Sequence, residues 1–575
     1  MYVKMLLFIL CILSINAIAS EHPDSSWLRY NHLGYHAVQD KELILMSDLN
    51  LEGQHWQLLS ANKVVLSGTL DKSLAGKTKH TAKPFNFLID ISSVTGKGEY
   101  QLQIEDKLFS QIYIKQQPYL FLIDEMLMHF KTARSGTADA HLHSISHLGD
   151  AKAPIYKPKG EMSLGQWQLE KPVQYVDMQG GWYDAADYIK FTLTTAYSAY
   201  YLLRAYQVEP ALFNKKLSQS DYVDILDEAK HGLDYLLKTY PEKDEFIIQV
   251  STGLDHQLGY RLPENDTRDG KREALSALSL PHMASTAAAL ALGSQVFKPF
   301  DLRLSQQYLA KAKAIYQRMN QPDVHKKGAF ERDITNDFYP DKISLDNLAL
   351  ASVELYQATG QRQYQDAAIN ALKKLGVSGW VAWADVDFSA NYRLSVNKNT
   401  AALNRLKAGL QKYKMYDKTQ GNIWHIPMPP YWGPLIGQFI ISSYSGLAYA
   451  QGMIDSPKQH WQNLDYFLGK NNWGIAFIAS ERVPRSVKNI YSQIYQLQNQ
   501  YPTGAVAGGP GHRNSYNDLK CLFKPDPSDR YFEQFNTSEQ IFFDNASNFQ
   551  TMETTITLQA AAIYMIAVNA KIMTE

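Results

Sequence analysis

The chain has 575 residues, with 57 lysines and arginines against 57 aspartates and glutamates, so its formal net charge is zero. That balance argues against nucleic acid and anionic membrane surfaces as the main partner. The length calls for about two to four domains, or one large repeat-built unit with a smaller module. Aromatic residues make up 12% of the chain and include 36 tyrosines; most fill a large core, and the remainder suit a carbohydrate ligand.

Residues 1–19 read as a secretory signal. Lys4 supplies a short positive region, residues 5–15 are nearly all apolar, and Ala17-Ile18-Ala19 is a small-x-small cleavage site. The expectation is an exported protein, periplasmic or secreted. No later stretch offers ~18 uncharged apolar residues, so no membrane span is expected. Removal of the signal takes Cys11 and leaves Cys521 alone, which forbids an intrachain disulfide and a multi-cysteine zinc site. Stability then rests on a core drawn from roughly 550 residues.

Residues 25–115 read as short strands: Val64-Val65-Leu66, Phe87-Leu88-Ile89-Asp90-Ile91, the alternating run 98–104, and Gln111-Ile112-Tyr113-Ile114. Turn residues separate them at roughly ten-residue intervals, which predicts a small antiparallel sandwich. Residues 115–118 form the linker. From residue 119 the period becomes helical. Ile225, Leu226, Ala229, Leu233, Leu236 and Leu237 share one face. Further helices are expected over the alanine-rich 286–292, around Tyr308, Ala312 and Ile315, as a hairpin of 348–359 and 364–375 about Gly360, and over 440–453 and 555–568. Many helices with long connectors predict a helical barrel rather than a bundle. Those connectors carry much of the Trp, Asp and Pro, where binding function sits.

The most informative stretch is 180–190, Gly-Gly-Trp-Tyr-Asp-Ala-Ala-Asp-Tyr-Ile-Lys. Asp184 and Asp187 stand three apart, and carboxylates that close share a proton, a water or a cation. Trp182 and Tyr183 offer flat faces of the kind that stack on sugar rings. A helix N-terminus accounts for the same pair, with Asp184 as cap and Asp187 as third helical residue. The two readings are compatible, because a capped helix end also holds a carboxylate rigidly.

At this motif the chain resembles glycoside hydrolase family 9, whose pattern Gly-Gly-Trp-Tyr-Asp-Ala-Gly-Asp differs here by Ala186. Asn31-His32-Leu33-Gly34-Tyr35 resembles the opening of the immunoglobulin-like module that precedes many members. Asp255-His256 followed by Arg261-Leu262-Pro263-Glu264, Leu468-Gly469-Lys470-Asn471, and the loop from Pro502 to Pro510 resemble further family segments. Ser538-Glu539 followed by Asn545-Ala546 is similar to the segment that holds the family's catalytic acid. The resemblance implies an immunoglobulin-like β-sandwich followed by an (α/α)6 barrel over 119–575. It also implies inverting hydrolysis of β-1,4-glycosidic bonds, in which one carboxyl protonates the leaving oxygen and a carboxylate activates water. By that resemblance Asp187 is the base, Asp184 holds the water and Glu539 is the acid. Trp182, Tyr183, His256, Tyr260, Tyr431, Trp432 and Tyr491 are expected at the sugar, and Glu264 beside Arg261 as a structural ion pair.

Two departures bear on substrate and metal. The family's His-His-Arg run before the Gly-Gly-Pro loop is missing; Tyr491-Ser492-Gln493 stands in its place, or Arg485 or His512-Arg513 compensates. Neutral groups there suit an amino sugar, since less positive charge would meet a cationic substrate. The family's Arg-Cys-Gly zinc segment reads Arg134-Ser135-Gly136 with His141, His143 and His147 downstream, which argues against zinc. The resemblance leaves room for a structural calcium ion without assigning its ligands, and the chemistry needs no cofactor. The expectation is therefore an enzyme acting on a polysaccharide or oligosaccharide, first a β-1,4-glucan of the cellulase type. Exo-β-glucosaminidase action on chitosan oligosaccharides is the alternative. A non-catalytic polysaccharide-binding or export-accessory protein is the reading of a different class.

Overall fold

The computed structural model describes residues 25–159, 166–216, 220–322, 324, 338–339, 341, 343–377, 380–515, 527 and 529–574. The signal segment and both cysteines lie outside them.

Seven strands build the amino-terminal module: β1 Ser26–Arg29, β2 Glu42–Ser47, β3 His55–Ser60, β4 Lys63–Thr69, β5 Phe85–Asp90, β6 Gly98–Ile104 and β7 Lys107–Ile114. They form two antiparallel sheets, β1-β2-β5 and β4-β3-β6-β7. β2 explains how the module is seated. Its Leu43 and Leu45 face the sandwich core, while Ile44 and Met46 face the core of the helical domain. Both faces of this strand are buried, so Leu43-Ile44-Leu45-Met46 reads as a continuous apolar run and carries no alternation. β6, with only one face buried, does carry it.

Among the described residues twelve helices make the barrel. The inner six are α2 Thr192–Val208, α4 Leu280–Phe297, α6 Leu345–Thr359, α8 Asp387–Ser395, α10 Leu435–Ala450 and α12 Ile556–Thr574. They touch in the closed order α2-α4-α6-α8-α10-α12 and back to α2. The outer partners are α1 Phe121–Thr132, α3 Asp224–Lys238, α5 Leu302–Met319, α7 Arg362–Lys373, α9 Thr400–Asp417 and α11 Lys458–Phe467. This is an (α/α)6 barrel. Inner helices such as α4 are buried all round, as their uniformly apolar or small residues require, whereas α3 and α5 bury one face. Helix α12 is long and apolar enough to cross a membrane by composition, yet it is buried as the last inner helix. The α6–α7 hairpin turns at Gly360, which caps α6 with φ of 70°.

A small sheet beside the barrel mouth positions the site. It contains β8 Ala153–Pro158, β9 Trp167–Leu169, β10 Tyr175–Val176, β11 Lys190–Phe191, β12 Ile247–Val250 and β13 Ala274–Ser276. β11 pairs antiparallel with β12, Lys190 opposite Val250. The loop before β11 and the turn after β12 are thereby brought side by side.

Candidate active site

The loop before β11 is the Asp184–Asp187 stretch. Gly180 and Gly181 open it at φ of 90° and 74°, and a Cβ on Gly181 would lie 2.7 Å from the Tyr235 ring. The buried Lys190 ammonium donates to the carbonyls of Met178 and Gly180 at 2.7 and 2.9 Å, which ties the loop's end to its start. Its charge is met by the buried Asp150 at 2.7 Å. The aspartates do not begin a helix. α2 starts at Thr192 with Phe191 as its N-cap, so the capping expectation for Asp184 is corrected. Asp187 instead accepts from the Ile189 N–H at 2.7 Å in a side-chain-stabilised turn.

Asp184 is buried, and its carbonyl accepts from the Ile556 N–H at the start of α12 at 3.0 Å. The Tyr339 hydroxyl donates to its Oδ2. Burial, with the Asp187 charge adding to it, pushes the Asp184 carboxyl up to about 7. Asp187 is more open, its side chain 14% exposed, and it lies 2.9 Å from Nε2 of His256, which is 46% exposed. That hydrogen bond raises the imidazole above its ordinary value against the effect of burial. His256 sits in the turn after β12, with the Phe338 ring edge-on at 5.5 Å.

The third carboxyl is Glu553, not Glu539. Glu553 lies between the short helix Phe549–Met552 and α12. Its backbone is pinned to Tyr491, whose N–H donates to the Met552 carbonyl at 3.0 Å. The Ala186 N–H donates to its carboxylate. Burial, then the charges of Asp187 and Asp184, push Glu553 up to about 8. Glu539 stands elsewhere. It precedes a strand pair, Gly511–His512 with Gln540–Ile541, and faces Lys79 of the amino-terminal module at 3.6 Å. It is one third exposed and paired with a cation. The sequence carries a signal for Glu553: Gln559-Ala560 follow it at the spacing at which Asn545-Ala546 follow Glu539, and it alone directly precedes the final apolar helix.

The expected sugar contacts divide. Trp182 is fully buried, its indole donating to Glu228 at 2.7 Å and its ring pressed on Gly232, so it has no face for a ligand. Tyr183 is likewise core, its hydroxyl held by Ser146 and His147. Both assignments are corrected. Tyr491 borders Glu553, and a chain of ring contacts runs Tyr260–Tyr491–Phe549–Trp432. Tyr260, Tyr431 and Trp432 are 50%, 41% and 43% exposed. Such exposed rings make an aromatic wall fit for stacking on sugars. Tyr260 is an expected contact, whereas Tyr339 and Phe549 are additions to the expected site residues.

Gln493 ties two site loops together. It donates to the Ala186 carbonyl at 3.0 Å and accepts from the Arg261 N–H at 3.1 Å. Arg485 binds the Tyr531 hydroxyl and Arg513 the Thr537 carbonyl, so neither supplies a cation here. Arg261 pairs with Asp255 and Asp266 at 2.5 and 3.0 Å rather than with Glu264, which accepts from the Ser144 N–H. His147 is bound to Asp266 and Tyr183, and His143 to carbonyls of Thr132 and Ser144. Among the described residues no group of three His, Cys, Asp or Glu is arranged to hold a metal.

Residues 119–566 match the model of glycosyl hydrolase family 9, and residues 24–107 that of the cellulase N-terminal ig-like domain. The chain belongs to glycosyl hydrolase family 9. It is a glycoside hydrolase, which removes the reading as a non-catalytic accessory protein. Among similar proteins, endoglucanase 5 of Arabidopsis thaliana is 26% identical over 77% of this chain and 73% of its own length. Endoglucanase C of Cellulomonas fimi is 23% identical over 87% of this chain, which spans 49% of it. A xyloglucan-specific endo-β-1,4-glucanase of Bacteroides ovatus is 23% identical, with 93% and 92% covered. A metagenome-derived family 9 endoglucanase shares the fold at a TM-score of 0.74 and 19% identity, with 94% of this chain and 98% of that one covered.

Proposed function

We propose that the protein is an inverting glycosidase that cleaves β-1,4-glucan chains internally. The observation that carries this reading is the meeting of three carboxyl groups in different environments beside an aromatic wall. Glu553, raised to about 8, is protonated at neutral pH and donates its proton to the leaving glycosidic oxygen. Asp187, on the open side of the loop, takes the proton of the attacking water, and Asp184 positions that water. The bond from the anomeric carbon to the leaving oxygen breaks as the bond to water forms on the opposite face. The chemistry needs carboxyl groups alone. The leading segment 1–19 supports export, to the periplasm or beyond. Relatives named endoglucanases support the glucan backbone.

A second reading, exo-cleavage of β-1,4-linked glucosamine, is favoured by one observation. Tyr491 and Gln493 bring no cation to the carboxyl groups, and Arg261 is held by Asp255 and Asp266. Product analysis on cello- and chitosan-oligosaccharides, with the new anomeric configuration followed by NMR, separates the two. Inverted cello-oligosaccharides support the first; single glucosamine units support the second; no release from either panel refutes both.

A further inference from the structure

A second polar groove lies where the two domains meet. It is open to solvent, has a volume of about 580 Å³, and is lined by residues 77–79, 81 and 82 of the module and by Arg513, Gln534 and residues 536–538 of the barrel. Its wall is built, not incidental. The Thr537 hydroxyl donates to the Lys79 carbonyl at 2.7 Å, and Trp424 and Asn472 both donate to the His80 carbonyl, at 2.8 and 2.7 Å. Behind it Gly421, at φ of 79°, is packed so closely that a Cβ would stand 2.6 Å from Thr78.

The lining combines hydroxyl and amide groups with an excess of positive charge. Thr78, Thr81, Gln534, Asn536 and Ser538 are the partners that sugar hydroxyls use. Three cations face them. Arg513 spends its Nε on the Thr537 carbonyl at 2.8 Å. Its two terminal nitrogens, and the Lys77 ammonium, make no hydrogen bond or ion pair with a described residue. Among the described residues Lys79 forms one ion pair, with Glu539 at 3.6 Å, both side chains about a third exposed, a pair of little strength. The groove also stands one residue from the aromatic wall. The Lys79 ammonium is 5.8 Å from the Tyr416 ring, and Tyr416 in turn lies near Tyr431.

We propose that this groove binds carboxylate-bearing carbohydrate, an acid-substituted stretch of glycan, apart from the bond being cleaved. Arg513 pairs the carboxylate in its planar fork, Lys77 and Lys79 add charge, and the Thr, Asn and Gln side chains take the ring hydroxyls. The chain's net charge of zero means that attraction of a polyanion needs such a local patch. The proposal does not require the β-1,4-glucanase reading, and the test keeps the two apart.

The test is affinity electrophoresis of the Glu553→Gln protein through gels carrying polygalacturonate, carboxymethyl-cellulose, hydroxyethyl-cellulose or polyphosphate. Retardation by the two carboxylated polysaccharides should exceed that by neutral hydroxyethyl-cellulose and by polyphosphate. Combined Lys77→Gln and Arg513→Gln substitution should weaken the carboxylate-specific binding roughly fivefold to tenfold, with Lys77→Gln alone giving part of it. Hydroxyethyl-cellulose binding and Tm should stay unchanged. Equal retardation of the parent and Lys77→Gln proteins by polygalacturonate would overturn the proposal, as would polyphosphate binding as tight as polygalacturonate. Polygalacturonate has no β-1,4-glucan backbone, so failure of the glucanase reading leaves that arm intact.

Discussion

Glu553 illustrates how one residue couples function to stability. Its carboxyl ordinarily titrates near 4.5 and is raised to about 8 in the fold. Between those values the folded state binds more protons than the unfolded state, so stability falls as pH rises through that window. Glu553→Gln removes the titration and keeps the shape. It should raise Tm at pH 8 by about 1–3 °C and leave Tm at pH 5 nearly unchanged; equal Tm shifts at both pH values would contradict a raised carboxyl. Tyr339 works through Asp184. Tyr339→Phe withdraws the hydroxyl from a buried carboxyl, so kcat should fall between roughly tenfold and a hundredfold with KM little changed. A change confined to KM would place Tyr339 on the substrate instead.

Single elements show why part of the site was legible in the sequence and part was not. Asp184 and Asp187 stand behind a glycine pair whose backbone has a reason that sequence exposes: positive φ and a close neighbour. Gly181→Ala should cost about 1–3 kcal/mol through strain and collision with Tyr235, seen as a lowered Tm and a lowered kcat together. Glu553 was hidden because a second glutamate, Glu539, has the same downstream amide-alanine spacing. What separates them is the element that follows, a two-residue strand for Glu539 and the last inner helix for Glu553. Trp182 misled for a different reason. An aromatic next to a catalytic loop is as useful beneath it as beside the sugar, and here it fills the space over Gly232. Tyr339 reaches Asp184 from 155 positions away and carries no local signal. Helix α2, rich in Thr and Tyr, lacks an apolar stripe because all its faces are covered, so periodicity could not announce it.

At the scale of the whole molecule, two distant motifs turn out to be one interface. Asn31-His32-Leu33-Gly34-Tyr35 opens the module, and Leu468-Gly469-Lys470-Asn471 ends α11 in the barrel. The His32 N–H donates to the Leu468 carbonyl at 2.9 Å, and a Cβ on Gly469 would meet the His32 ring at 2.3 Å. Asn31 donates to Tyr119 and to the buried Asp465, at 3.0 and 2.8 Å. Burial pushes Asp465 up to about 7, and Asn31 and Gln39 offset this by donating to it. Asn31→Ala should therefore cost about 1–3 kcal/mol through an under-satisfied buried carboxyl. The module and barrel should still unfold together, because β2 contributes to both cores. Separate calorimetric transitions for residues 25–115 and the barrel would contradict that coupling.

In the proposed mechanism Glu553, rather than Glu539, is the acid that serves Asp187. The most direct measurement is kcat/KM against pH on a soluble β-1,4-glucan for the parent protein, Glu553→Gln and Glu539→Gln. The parent profile should fall on the alkaline side near pH 8, where Glu553 loses its proton. Glu553→Gln should lose about 10²–10⁴-fold and that alkaline limb with it. Glu539→Gln should stay within about twofold of the parent, as loss of an exposed ion pair implies. A large loss in Glu539→Gln with an intact profile in Glu553→Gln would rule out Glu553 as the acid.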